Sequence, residues 1–251
     1  MLSEDSVLIV AEVAMNPVTM NTAAELDCPY MEKEDPWSSH TRIRTWLAQQ
    51  QAGTRILDIG AATGTLGKQF AEAGLVMYGI EPHPAWAKLA RPYYTELLVG
   101  TLDDASDAFL SRHDVVVCAD VLEHIAEPTQ ALRRMLALQS VGCHFLISVP
   151  NIANIWMRLN LLLGRFDYTD RGILDRTHLR FFTRRTLRGM FDAVGLRVVE
   201  LHVTPIPLNL IHPMFHQSSV GRLAHALLAR LTRTFPTLLG YQFVVKAVKF
   251  S

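Results

Sequence analysis

The sequence has little cysteine. Three cysteines occur in 251 residues, at Cys28, Cys118 and Cys143. Their number is odd, and their wide separation matches neither a disulfide framework nor the spacing of metal ligands. We therefore expect a protein of a reducing compartment, without disulfides and without a metal site.

Long apolar segments are also missing. The chain starts with the acidic stretch 1–5, and the apolar run 7–10 is far too short for a membrane span or the apolar part of a secretory signal. Other apolar stretches, such as 159–163, are short and bounded by polar residues. These absences predict a cytoplasmic protein that does not insert stably into a membrane.

Neither sign of charge predominates. Lysine plus arginine number 24, and aspartate plus glutamate also number 24. A balanced charge creates no field that would attract nucleic acid to the whole protein, so we expect no nucleic-acid partner. With 49% hydrophobic and 19% charged residues, the composition is typical of a globular domain with a sizeable core.

What the sequence does contain is an alternation of strands and helices. The predicted strands are 55–59, 76–80, 97–99, 114–119, 144–149, 196–203 and 241–250. The predicted helices between and before them are 37–51, 65–73, 82–91, 128–139 and 184–194. This order predicts an α/β fold with a doubly wound, mostly parallel, seven-stranded sheet covered by helices on both faces.

Three segments depart from this rhythm. Residues 1–36 contain scattered prolines and predict an irregular leader before a domain that spans 37–251. Insertions at about 151–182 and 205–240 interrupt that domain, and the second should contain a helix near 221–233. Long excursions from a regular sheet often cover a site, so we predict that both insertions form a lid.

The first insertion includes an apolar stretch, 152–166, that carries Arg158 and Arg165. A helix of this kind indicates core packing or contact in a homodimer. A pocket for a large, partly apolar substrate and contact with a membrane surface are the alternatives.

The strongest local pattern follows the first strand. The turn Gly60, Ala61, Ala62, Thr63, Gly64 leads into a helix, and its small residues allow a ligand to approach the backbone. Glu81 follows the second strand, 21 residues after Gly60, where a carboxylate can accept hydrogen bonds from both hydroxyls of a ribose. The two features together predict a nucleotide-type cofactor.

Asp58 bears on the identity of that cofactor. It lies inside the first strand, two positions before the turn. A buried acid there can orient the loop and face a cationic ligand, whereas a dinucleotide site must accommodate a pyrophosphate and gains nothing from it. An NAD-dependent oxidoreductase remains an alternative, although its tight glycine pattern is absent.

Four motifs, in order, resemble those of class I S-adenosylmethionine (SAM)-dependent methyltransferases. The segment 57–64 resembles their first SAM motif, with Ala62 where glycine is usual, and 80–84 resembles their ribose-binding motif. The segment 100–104 resembles the loop beside the adenine, with Thr101 where an acid is frequent. The segment 118–125, followed by Pro128, resembles the ubiquinone-biosynthesis and MetW-like branch.

The resemblance implies SAM as cofactor, S-adenosylhomocysteine (SAH) as product, and a set of cofactor-binding residues. They are Asp58, Gly60, Ala61, Ala62, Gly64, Glu81, Pro82, Thr101, Leu102, Asp120 and Val121. By the same resemblance the turn would line the methionine portion, Glu81 the ribose, and Thr101 with Leu102 the adenine. Asp120 would lie near the amino group, and Asp58 would act behind the contacting residues or through water.

Methyl transfer to an alcohol requires a general base, and two histidines are candidates. His124 follows the fourth strand, at the edge of the sheet where open α/β sheets bind ligands. His178 lies in the segment 175–183, which resembles a motif of MetW-like and glycan-associated methyltransferases. Each histidine could instead brace its loop by hydrogen bonding.

The function predicted from these features is SAM-dependent O-methylation of a small molecule, sugar or glycan precursor. A quinone-like or other secondary metabolite is the alternative acceptor. A non-catalytic partner protein that retains the methyltransferase fold is the alternative outside enzymes.

Overall fold

The computed structural model describes residues 35–208 and 214–250. Within these ranges seven strands form one sheet in the order β3-β2-β1-β4-β5-β7-β6. The strands are β1 (Arg55–Ile59), β2 (Val76–Glu81), β3 (Glu96–Val99), β4 (Val115–Ala119), β5 (His144–Pro150), β6 (Leu196–Thr204) and β7 (Gln242–Lys249). Only β7 runs antiparallel to its neighbours, β5 and β6. The predicted mostly parallel, seven-stranded fold is confirmed.

Ten α-helices of the described ranges connect and cover these strands. They are α1 (Ser39–Leu47), α2 (Thr65–Ala71), α3 (Pro84–Ala90), α4 (Asp107–Leu110), α5 (Pro128–Leu138), α6 (Ile155–Leu162), α7 (Arg184–Val194), α8 (Met214–Gln217), α9 (Ser219–Thr234) and α10 (Pro236–Leu239). Most elements lie within two or three residues of their predicted positions. The short helices α4, α8 and α10 were not predicted, because four residues cannot display a helical period.

Local hydrogen bonds explain several helix boundaries. Ser38 accepts a hydrogen bond from the Thr41 amide and begins α1, two residues later than the pattern predicts. Thr183 and Thr186 form a reciprocal capping box at the start of α7. Gly195, in the left-handed conformation at φ 82°, ends that helix.

The core lies on both faces of the sheet. On one face, α5 and α7 pack on the strands through residues such as Leu132, Leu187 and Phe191. On the other face, α1, α2 and α3 pack through Ile43, Phe70 and others. The central strands β4 and β5 are therefore buried on both sides, as their continuous apolar sequences predict.

The two predicted insertions both leave the carboxyl edge of the sheet. The first contains α6 and a loop, and returns to the sheet where Asn151 pairs with Phe182. The second contains α8, α9 and α10 between β6 and β7. The described part of the chain has no helix that is long and apolar enough to cross a bilayer. The predicted leader lies almost entirely outside the described residues.

Candidate active site

The turn after β1 is held against the second strand. The amides of Gly60 and Ala61 both donate to the Ile80 carbonyl, at 2.9 and 3.0 Å. Gly60 and Gly64 have φ values of 78° and 87°, a region that favours glycine. A Cβ on Gly64 would lie 2.7 Å from the Ala90 Cα, so the close contact with α3 also requires glycine. Ala62 is left-handed as well, at φ 47°, where the first SAM motif usually has glycine.

Glu81 joins this turn to the start of α3. One carboxylate oxygen accepts from the Ala62 amide at 2.7 Å, and the other from the His83 amide at 2.8 Å. The residue is 3% exposed, and burial raises the pKa of its carboxyl group. A carboxylate has about four acceptor positions, so two remain for further donors such as ribose hydroxyls. Pro82, the next residue, is exposed at the same edge.

Asp58 lies beneath the turn and binds a tyrosine. Its carboxylate accepts a hydrogen bond from the Tyr94 hydroxyl at 2.6 Å, and the residue is 2% exposed. Burial raises the pKa of Asp58 to about 6, against the lowering effect of the Tyr94 hydrogen bond. The contact is with a neighbouring side chain, and the expected role of Asp58 behind the cofactor-contacting residues stays a prediction.

This pKa predicts a stability effect of Asp58→Asn. Because the pKa of Asp58 is raised in the folded protein, the folded protein binds the proton more tightly than the unfolded chain does. As the pH rises from about 4 to about 6, this carboxyl group therefore lowers the free energy of unfolding by an increasing amount. Asparagine can still accept from Tyr94 but does not ionise. Its stability relative to wild type should therefore rise across this window, by up to about 3 kcal/mol. Urea unfolding at several pH values measures this.

The control for this experiment is Asp103→Asn, since Asp103 is exposed. Its stability difference from wild type should change little over the same pH range. A pH-independent difference for Asp58→Asn would show that Asp58 does not titrate in this window.

The loop after β3 is fixed by its own side chains. The Thr101 amide and hydroxyl both donate to Asp104, each at 2.7 Å, and this contact holds the pKa of Asp104 below its usual value. Leu102 is 8% exposed and packs in the core with Ile80. Thr101 and Leu102 thus follow β3 at the carboxyl edge, next to Glu81 on β2.

Asp120 is the first residue after β4 and is held by the next strands. Its carboxylate accepts from the Ser148 hydroxyl at 2.6 Å and from the Gln242 amide at 2.9 Å. His40 of α1 lies 3.9 Å from its other oxygen. These contacts stabilise a left-handed backbone at φ 57°, which costs a non-glycine residue free energy. The adjacent Val121 borders the turn, because a Cβ on Gly60 would lie 2.9 Å from its side chain.

The two candidate bases lie side by side. The ring centroids of His124 and His178 are 4.8 Å apart, in an edge-to-face arrangement. Two backbone bonds join their loops, since the amides of Leu179 and Arg180 donate to the Glu123 carbonyl at 2.8 and 3.0 Å. Burial, followed by the charge of His178, lowers the pKa of His124.

Glu123 also belongs to this cluster. It is 1% exposed, and its ligand-type atom lies within 4.8 Å of those of His124 and His178. Carboxylate and imidazole are groups that bind divalent cations. The expectation that no metal is bound therefore remains a prediction, and it needs a test with a chelator.

Comparison with known proteins identifies the family of this chain. The methyltransferase domain family matches residues 37–201, well over half of the chain. The chain belongs to this family. It is a class I SAM-dependent methyltransferase domain. The glycine turn left SAM and NAD open as cofactors, and membership of this family identifies the cofactor as SAM.

Similar proteins of assigned function are O-methyltransferases. The methyltransferase is 31% identical to the ubiquinone biosynthesis O-methyltransferase of Alkalilimnicola ehrlichii, over 69% of this chain and 73% of the relative. It is also 31% identical to the protein of that name from Azorhizobium caulinodans, over 59% of this chain. That match spans 61% of the Azorhizobium protein, less than two thirds of its length.

Solved structures share the fold at lower identity. The magnesium protoporphyrin IX methyltransferase of Synechocystis, solved with bound SAH, superposes with a TM-score of 0.57 and 14% identity, covering 98% of this chain and 95% of that one. A SAM-dependent methyltransferase of Archaeoglobus fulgidus gives a TM-score of 0.56 and 18% identity, covering 84% of this chain and 95% of that one.

The sequence did not predict several residues that lie at the carboxyl edge of this methyltransferase's sheet. Ser148, Gln242 and His40 all approach Asp120, although they come from β5, β7 and α1. Ser148 gave one usable signal, a polar residue inside an otherwise apolar strand. Gln242 and His40 gave none, because only the strand order brings them to Asp120.

Proposed function

We propose that this methyltransferase transfers the methyl group of SAM to a hydroxyl oxygen of a small-molecule, sugar or glycan-precursor acceptor. The observation that carries this proposal is the pair His124 and His178 at the carboxyl edge of the sheet. An alcohol must lose its proton as the new C–O bond forms, and paired imidazoles provide a base for it. The relatives' name, ubiquinone biosynthesis O-methyltransferase, supports oxygen as the nucleophile.

Hydrogen bonding supports a base-competent form of both histidines. Nδ1 of His124 lies 3.3 Å from the Thr177 carbonyl, and Nδ1 of His178 lies 3.0 Å from the Ile173 carbonyl. A carbonyl only accepts, so in each ring Nδ1 carries the proton. Nε2 of a neutral ring then has its lone pair available to take a proton. The lowered pKa of His124 favours this neutral form near pH 7.

Thr177 and Asp175 act as positioning residues for His124. The Asp175 carboxylate accepts from the Thr177 amide at 2.8 Å and from its hydroxyl at 2.6 Å. The Thr177 oxygen, 3.1 Å from Nδ1, can therefore accept from His124. This chain fixes the ring and its tautomer, as a structural partner does for other catalytic histidines.

We assign the cofactor to the side of the sheet's carboxyl edge that lies opposite the histidine pair. Glu81, Pro82 and the turn at 60–64 would hold the ribose and methionine portions, with Asp58 behind them. Thr101 and Leu102 would flank the adenine, and Asp120 with Val121 would close the site. SAM, when bound, supplies an activated methyl group, and the protein's task is to align the acceptor and remove one proton. The insertions at 151–182 and 205–240 would cover the acceptor.

A panel of acceptors tests this proposal. Purified protein is incubated with labelled SAM and with sugars, sugar phosphates, catechol-type quinone precursors and amines, and both SAH and methylated product are measured. We expect transfer to a hydroxyl compound and a product with a methyl ether. Transfer only to amines would contradict an oxygen nucleophile. SAM binding without transfer to any acceptor would favour the non-catalytic alternative.

A further inference from the structure

Two adjoining cavities lie beyond the candidate bases, where β5 and β6 end. The first, of about 300 Å³, lies between α1, β6 and α9. The second, of about 410 Å³, lies between the start of α6, the start of α7 and α10. Arg184 lines both cavities, so they adjoin at this residue. We call it the arginine cleft, after six lining residues: Arg42, Arg158, Arg184, Arg185, Arg188 and Arg233.

The charge of this cleft departs sharply from that of the chain. Acidic and basic residues balance at 24 each in the whole sequence. Among the described residues that line the two cavities there is no aspartate or glutamate. Six arginines around one region of the surface produce a local positive potential. Such an arrangement is stabilised when an anion enters it.

No described carboxylate neutralises these arginines. Across residues 35–208 and 214–250, no ion pair joins any of the six to a carboxylate. Their contacts are of other kinds: Arg158 donates to the Ala153 carbonyl at 2.7 Å, and Arg233 lies over the Trp37 ring at 5.4 Å. By comparison, Arg134, Arg176 and Arg180 each pair with an acid. Within the described part of the chain, the positive charge of the cleft is therefore available to a ligand.

The position of the cleft connects it with methyl transfer. Thr183, in its lining, is five residues from His178, a separation of at most about 18 Å in an extended chain. Ala153, also in the lining, lies three residues beyond the carboxyl end of β5. A ligand anchored among the arginines can thus extend to the histidine pair. The arginine forks match the oxygens of a phosphate group in geometry and charge.

We propose that the arginine cleft binds a phosphate or pyrophosphate group carried by the methyl acceptor. This proposal rests on the proposed function, and it narrows the acceptor to an anionic phosphate ester with a free hydroxyl. The phosphate ester can be water-soluble or attached to a lipid. The helices α6 and α9, which carry Arg158 and Arg233, also have exposed apolar residues, such as Leu162 at 81% and Leu227 at 54% exposure, and these suit a lipid-linked form.

Direct binding of inorganic pyrophosphate tests this proposal without methyl transfer. Calorimetry on the full chain should detect binding that weakens with added salt. Arg184→Gln and the double variant Arg185→Gln, Arg188→Gln should each weaken it about tenfold or more. The matched control is Arg133→Gln, because Arg133 is exposed on α5 and lines neither cavity. Affinity for SAM should be the same in all variants.

A second arm distinguishes the two sources of phosphate. Sedimentation with vesicles of neutral phospholipid, with and without phosphatidic acid, is measured for wild type and Arg184→Gln. Pyrophosphate binding that needs Arg184, with no preference for phosphatidic acid, indicates a water-soluble acceptor. Vesicle binding that needs both phosphatidic acid and Arg184 indicates a lipid-linked one.

The proposal is overturned if neither pyrophosphate nor the acidic vesicles bind, or if Arg133→Gln weakens binding as much as Arg184→Gln. Since these readouts need no methyl transfer, their failure leaves the O-methylation proposal intact. Conversely, an inactive protein that still binds pyrophosphate through Arg184 would refute only the proposed methyl transfer.

Discussion

Replacing Glu81 by alanine is expected to weaken SAM binding by about 100-fold. The Glu81 carboxylate accepts from the Ala62 and His83 amides and, in our assignment, from the ribose. Alanine removes the charged acceptor for the ribose hydroxyls. It also leaves the Ala62 and His83 amides without their partner, so the turn at 60–64 loses its anchor. Calorimetry with SAM and with SAH measures the effect.

A second variant distinguishes a loss of SAM binding from a loss of folding. Glu81→Gln keeps the shape of the side chain, but one of its two polar ends is an NH₂ group that faces a backbone donor. We expect it to weaken SAM binding about tenfold with only a small change in melting temperature. Glu72→Ala is the control, since Glu72 is exposed at the end of α2. Equal affinities of Glu81→Gln, Glu72→Ala and wild type would refute the ribose assignment.

Loss of the catalytic base is expected to reduce kcat by a factor of about 10² to 10⁴. His124→Asn and His178→Asn are made separately, and the larger loss identifies the base. Affinity for SAM should change little in either variant, because the histidines are assigned to the acceptor side. His144→Asn is the control, as His144 begins β5 at the opposite edge of the sheet. Unchanged kcat in both variants would rule out histidine catalysis.

The pH profile provides an independent readout of the same histidines. Protonation inactivates a base, and burial and His178 lower the pKa of His124 from 6.5. If His124 is the base, kcat/KM should therefore fall on the acid side with a midpoint below pH 6.5. His178→Asn removes the part of the pKa lowering of His124 that comes from His178, so this midpoint should move upward. A midpoint that does not move, in a variant that remains active, would contradict the coupling of the two rings.

A chelator separates proton transfer from metal binding at this cluster. If the histidines act as bases, EDTA should leave the wild-type rate unchanged. Loss of activity with EDTA, restored by a divalent cation, would instead assign Glu123, His124 and His178 to a metal site and contradict the predicted absence of metal.

The site divides into parts that sequence reasoning could and could not reach. The turn at 60–64 and Glu81 were predictable because each immediately follows a strand whose apolar run is visible in the sequence. Parallel strands direct such residues to one edge, so their proximity needed only the fold class. Leu102 was harder, because a single apolar residue after a short strand does not reveal that it packs into the core.

The histidine pair shows the limit of local patterns. His124 and His178 were each identified from their surroundings, but 54 positions separate them in the sequence. Their contact depends on the bonds from Leu179 and Arg180 to the Glu123 carbonyl, which no periodicity records. The arginine cleft is a stronger example, because its arginines come from α1, α6, α7 and α9. In the sequence these arginines contribute only to a net charge of zero, which does not indicate that they lie near one another.

The sequence by itself determined the alternation of strands and helices in an α/β domain, the turn at 60–64 with Glu81 after the next strand, and two histidines in loops that follow the strands. It could do so because strand burial, turn conformation and helix capping are set by neighbouring residues. Only the tertiary structure decided which distant side chains meet, such as Asp58 with Tyr94 and Asp120 with Ser148 and Gln242. It also decided which arginines line the arginine cleft. These contacts depend on how the strands pair and how the insertions pack. Both are interactions between distant segments, and the number of residues between two segments does not determine their distance in space.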